Sequence, residues 1–208
     1  MLITFFFEYF AVHLCKIIIM KKVAIFASGS GSNAENIINY YKDSREIFFP
    51  LILTNKADAY IRERAKNLDV PCIVFQKQDM SNGALLKILK DADIDFIVLA
   101  GFLLKVSDEI IAAYPQKIVN IHPALLPKFG GKGMYGDRVH EAVIEAGETE
   151  SGITIHYIDD HYDAGTIIFQ AKCEVLPSDK PSDVATKVHA LEYANYPRVI
   201  GECILRDA

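Results

Sequence analysis

Three groups of residues have the types and spacing of chemistry. Asn120 and His122 stand two apart in Ile118-Val-Asn-Ile-His-Pro-Ala-Leu-Leu-Pro127. On a strand their side chains share one side. An apolar strand that ends in two polar groups must find partners for them. Asp163 lies in the polar run Asp159-Asp-His-Tyr-Asp-Ala-Gly165. A carboxylate beside an imidazole favours the charged ring and fixes its orientation. A charged imidazole and a carboxamide give two donors, which a developing oxyanion requires. No Ser or Cys stands in a nucleophile elbow, so the nucleophile is expected to come from the substrate and the transfer to be direct. The plainer alternative is a structural Asn and His satisfied by their neighbours.

Gly29-Ser-Gly-Ser-Asn-Ala34 follows an apolar run and opens a helical one. Glycines allow a tight turn, and free N–H groups at a helix start favour an anion. The run matches the dinucleotide fingerprint loosely. That reading needs an acid at the tip of the second strand, and the tip is Thr54-Asn55-Lys56. A monophosphate suits the loop better, because Ser32 and Asn33 add side-chain donors. A plain strand-to-helix turn remains the alternative. His122, His156, His161 and Asp163 are a rival metal set, but neither HExxH nor paired Cys/His spacing is present, so no metal is expected. Cys15, Cys72, Cys173 and Cys203 lie far apart and read as thiols of a reducing compartment.

These residues need a scaffold. Strands are expected over 23–28, 48–54, 72–75, 95–100 and 118–121, with Pro50 marking an edge or bulge. Helices alternate with them over 33–42, 58–68, 83–92 and 108–114. Such alternation predicts an α/β fold: a Rossmann-like, open, mostly parallel sheet with helices on both faces. Residues 128–137 hold four glycines and read as a mobile loop. Late strands, antiparallel in pattern, are expected over 152–158 and 166–173, before a long helix over 181–204.

The 208 residues, 51% hydrophobic and 24% charged, suit one globular domain rather than a disordered or fibrous chain. A net charge of −5 argues against a nucleic-acid partner, since phosphate binding wants a basic face. Residues 1–19 are apolar but lack the flanks of a signal peptide, and Glu8, His13 and Lys16 break the run that a membrane helix needs. They are expected to be a dispensable leader before a single catalytic domain over 20–208. A cytoplasmic protein without a membrane partner is expected, either monomer or homodimer.

From Lys21 to about Ile204 the sequence resembles the glycinamide ribonucleotide (phosphoribosylglycinamide) formyltransferases, folate-dependent enzymes of purine synthesis. The matching pieces are Gly29 to Asn33, Asn55-Lys-Ala-Asp58, Leu99-Ala-Gly-Phe102, Asn120 to Pro127, Gly152-Ile-Thr-Ile-His156 and Asp163-Ala-Gly165. The resemblance implies the formyltransferase fold and transfer of a formyl group from 10-formyltetrahydrofolate, as co-substrate, to the amine of glycinamide ribonucleotide. It implies that His122 and Asn120 stabilise the oxyanion while Asp163 supports His122 and helps move a proton. It implies that Gly31, Ser32 and Asn33 hold the phosphate, and that His189, Ala190, Leu191 and Glu192 meet the ribonucleotide. Leu103, Leu104, Lys105 and Val106 would line the pterin site. So would Asp159, Asp160, His161, Tyr162 and Asp163, together with Asn120. It also implies a cis Leu126–Pro127 bond. Two rivals share Asn, His and Asp. The deformylase of the same folate carries an N-terminal regulatory domain, and the methionyl-tRNA enzyme adds a C-terminal RNA-binding domain. A nucleotide-sensing module of the same fold is the non-enzyme alternative.

Overall fold

The computed structural model describes residues 20–206. The leader expected over 1–19 lies outside the described residues. The strands are β1 (Lys21–Phe26), β2 (Ile47–Thr54), β3 (Cys72–Val74), β4 (Phe96–Leu99), β5 (Ile118–His122), β6 (Glu150–Tyr157) and β7 (Ile167–Glu174). The helices are α1 (Ser32–Tyr40), α2 (Ile61–Asn67), α3 (Ala84–Asp91), α4 (Asp108–Ala113), α5 (Asp137–Glu145) and α6 (Pro181–Leu205). The strands form one sheet in the order β3-β2-β1-β4-β5-β6-β7. Pairings from β3 through β5 are parallel, and β6 and β7 join antiparallel.

The apolar runs become strands because both faces of the sheet are covered. Val23 and Ile25 of β1 pack with Ile37 of α1, Ile61 of α2 and Val184 of α6. Ala24 and Phe26 point the other way, into Leu85 and Leu89 of α3 and Ile110 of α4. At Pro50 the β1–β2 register shifts, and β3 pairs with β2 only from Ile52 onward. The proline therefore sits at an irregularity, where its missing N–H is tolerated. Residues 128–137 differ in one respect from the expected loop. The loop ends at Gly136, and Asp137 opens α5, a helix the glycine run did not announce.

Four hydrogen bonds dock α6 where the site needs it. Pro197, inside α6, has no N–H to give the Tyr193 carbonyl one turn back. That carbonyl accepts from Asn36 Nδ2 of α1 at 3.1 Å, and the Tyr41 hydroxyl donates to the Pro197 carbonyl at 2.7 Å. Gly201 allows the approach, since a Cβ there would stand 1.9 Å from the Tyr41 oxygen. The fully buried Tyr196 hydroxyl reaches the carbonyls of Leu99 (2.9 Å) and Val119 (3.2 Å), which seats α6 beneath β4 and β5. Burial pushes this phenol well above its ordinary titration range. No helix among the described residues is long and apolar enough to cross a membrane.

Candidate active site

From β1 the chain passes to β2 and β3 on one side of the sheet, then returns to β4 on the other. That switch leaves a crevice at the carboxyl ends of the strands, where open α/β sheets bind ligands. A cavity of about 580 Å³ opens there. Its walls come from the loops after β1, β4 and β5, the glycine-rich loop, α5, the β6–β7 loop and α6.

The loop after β1 forms one end. Gly31 caps α1 in the left-handed region (φ 75°), and a Cβ there would lie 2.2 Å from Ile61 Cδ1. Glycine is required on both counts. The Ile61 N–H donates to the Gly29 carbonyl at 3.2 Å, and Arg64 Nε donates to the Ser30 carbonyl at 3.0 Å. Helix α2 thereby holds the loop with the α1 N-terminus open to the cavity, an arrangement suited to an anion. Asn33 Nδ2 donates to Glu192 Oε2 at 2.8 Å, and His189 Nδ1 bonds the same oxygen at 2.9 Å. The Glu192 hydrogen bond holds His189 above its ordinary value, against its partial burial.

The other end is built across β5 and β6, where Asn120 pairs with His156 and His122 with Thr154. His156 Nδ1 faces the Tyr157 carbonyl at 2.9 Å and must carry a proton to bond it. Burial pushes His156 toward the neutral form, so its Nε2 is an acceptor. Asn120 Nδ2 lies 3.1 Å from that acceptor, which fixes the carboxamide orientation. Asp163, itself in the left-handed region (φ 54°), stands between the two imidazoles. Its Oδ2 is 3.6 Å from His122 Nδ1, and its Oδ1 is 3.8 Å from His156 Nε2.

A short strap grips this pair. The Gly131 N–H donates to Asp163 Oδ2 at 2.9 Å, and His122 Nε2 donates to the Phe129 carbonyl at 2.7 Å. Neither nitrogen of His122 therefore points freely into the cavity in this conformation. Thr154 fixes the corner before the strap. Its Oγ1 donates to the Ala124 carbonyl and accepts from the Leu126 N–H and Gln170 Nε2. The Leu126–Pro127 bond is cis.

The expected site residues separate clearly. Gly31, Ser32, Asn33, Leu103 to Val106, Asn120 and His122 line the cavity. So do Asp159, His161, Tyr162, Asp163, His189 and Glu192. Ala190 is exposed outside it, and Leu191 packs against the core. Asp160 is exposed and bonds His161 Nδ1 at 2.8 Å. The rival metal set does not converge: His122 and His156 meet at Asp163, while His161 groups with Asp159 and Asp160 on an exposed loop. Two cavity histidines were given no part in the expected transfer chemistry: His156, whose place opposite Asn120 is legible only from the β5–β6 register, and His140 of α5.

Residues 21–200 match the model of the formyl transferase family, which sets the class. The sequence is 40% identical over 188 residues to the chloroplastic phosphoribosylglycinamide formyltransferase of Arabidopsis thaliana, covering 87% of this chain and 64% of that one. It is 35% identical over 191 residues to the phosphoribosylglycinamide formyltransferase of Bacillus subtilis, covering 89% of this chain and 95% of that one. The crystal structure of phosphoribosylglycinamide formyltransferase from Bacillus halodurans matches the fold with a TM-score of 0.81 at 35% identity, covering 90% and 97% of the two chains. The chain belongs to the phosphoribosylglycinamide formyltransferase branch of the formyl transferase family.

Proposed function

We propose that the protein transfers the formyl group of 10-formyltetrahydrofolate to the amine of glycinamide ribonucleotide. The observation that supports this most is one cavity with an anion-binding loop at one end and Asn120, His122 and Asp163 at the other. The phosphate would sit on Gly31, Ser32 and Asn33, and the ribose hydroxyls on Glu192 with His189 beside it. The pterin would lie between Leu103 to Val106 and the loop from Asp159 to Asp163.

The amine attacks the formyl carbon, forming a C–N bond and moving an electron pair onto the formyl oxygen. Asn120 Nδ2, oriented by His156, offers one donor to that oxyanion. His122 offers the other when its Nε2–H exchanges the Phe129 carbonyl for the oxyanion. Asp163 Oδ2 faces Nδ1 at 3.6 Å and holds the ring in orientation. Asp163 then accepts the proton of the attacking amine through a water. Collapse of the intermediate breaks the bond to folate N10, which takes up that proton. Asn120, His122 and Asp163 are the protein's groups in this sequence.

Initial rates with each substrate omitted in turn test the reading. Turnover should require both the formyl folate and the ribonucleotide. Formate release without an amine acceptor would favour the deformylase. Ligand-induced thermal shifts without turnover would favour a sensing module.

A further inference from the structure

His140 is 3% exposed, yet it lines the cavity, and its Nδ1 is shielded with no hydrogen-bond partner. A buried imidazole normally satisfies both nitrogens. None of the roles above uses this ring. Helix α5 sets it by burying Val139, His140 and Val143 and exposing its polar side. Burial is the main influence on the ring and keeps it neutral. The positive side of His189 adds to this, Asp137 and Glu192 oppose it, and His122 adds slightly.

A neutral imidazole has one N–H and one bare nitrogen. An N–H sealed away without an acceptor costs more than a bare lone pair, because orphaned buried donors are the rarer case. The proton therefore belongs on Nε2, the nitrogen left to meet a ligand. His140 lines the same cavity as His189 and Glu192 of the ribose end and His122 of the transfer end. In glycinamide ribonucleotide the group between ribose and amine is an amide, whose carbonyl is its acceptor.

We propose that His140 is a specificity-determining residue that donates a hydrogen bond from Nε2 to the amide carbonyl of the ribonucleotide's glycinamide arm. This rests on the reading of the substrate given above. The bond fixes the arm that carries the nucleophilic amine, so it discriminates glycinamide ribonucleotide from sugar phosphates that lack the arm. A site built to hydrogen-bond a substrate group rejects ligands without it, because its own polar atom is then left unpaired.

The test is a pair of dissociation constants on the full chain, for glycinamide ribonucleotide and for ribose 5-phosphate, each by competition calorimetry. Wild type should prefer the ribonucleotide. His140→Leu should weaken it by about tenfold, as for one net hydrogen bond, with ribose 5-phosphate unchanged within twofold. His140→Gln, which places an amide N–H near the Nε2 position, should recover most of the loss. His140→Asn, whose N–H falls near the Nδ1 position, should not. If His140→Leu does not fold, the Gln and Asn variants decide: equal affinities overturn the proposal. So does an equal loss for both ligands, or no loss for the ribonucleotide. A wild-type protein that binds no glycinamide ribonucleotide would instead remove the functional reading beneath it.

Discussion

Asn33 Nδ2 donates to Glu192 Oε2 at 2.8 Å across 159 residues of sequence. The bond ties the loop after the first strand to the last helix, so the two ends of the fold meet at the end of the cavity proposed for the ribonucleotide. Glu192 is 5% exposed and is held from both sides, by Asn33 and by His189.

Asn33→Ala and Glu192→Ala should each raise KM for the ribonucleotide more than they lower kcat, because both act on binding in the ground and transition states alike. The double variant should lose less than the sum of the two, with a coupling of about 0.5–3 kcal/mol, as residues in contact show. Steady-state kinetics of the four proteins in the cycle checks this. A loss confined to kcat would move the pair into the chemistry.

The His189–Glu192 pair predicts a pH dependence. His189 titrates above its ordinary value near 6.5 because Glu192 accepts its hydrogen bond. A raised folded value means the contribution to stability is complete below about pH 6.5 and is lost as pH rises through the folded value. Glu192→Gln should bring the His189 titration down, followed by NMR of the ring protons. An unchanged titration would break the assignment. His189 is half exposed, so solvent screening keeps the energy small.

His156 is a positioning residue for Asn120. His156→Phe should lower kcat by up to about 10²-fold, the effect of a misplaced group, and leave the ribonucleotide KM within a few-fold. An equal fall in folding stability and in binding of both substrates would show a structural role instead. Kinetics together with a thermal melt separates these outcomes.

Asp163→Asn keeps the size of the side chain and removes its charge. His122 then loses the carboxylate at 3.6 Å, and the amine loses its proton acceptor. The cost of one oxyanion donor alone is about 10²–10³ in kcat, so the variant should lose at least 10²-fold by that measure. Ribonucleotide affinity by calorimetry should stay within a few-fold. Near-normal kcat would take Asp163 out of the mechanism and turn attention to Asp159 or Asp160.

The sheet was legible because its central strands are buried on both faces, which writes Val23 to Ala27 and Phe96 to Leu99 as unbroken apolar runs. Helix α5 was not read at all: Gly130, Gly131, Gly133 and Gly136 precede it with no side-chain cap, so the run into it read as loop. Asn120 and His122 announced themselves as polar ends of an apolar strand. His156 did not, since its role depends on which residue of β5 it faces, and antiparallel register is a property of the folded pair. The capping of His122 by the Phe129 carbonyl depends on the path of a loop whose residue types permit several.

The central claim is direct transfer of the formyl group to the ribonucleotide amine. It is tested by following a ¹³C-labelled formyl group by NMR, with 10-formyltetrahydrofolate and glycinamide ribonucleotide both present. The label should leave the folate and appear as a formamide on the ribonucleotide, one for each folate consumed, without passing through free formate. Label accumulating as formate while the ribonucleotide stays unmodified would contradict the account.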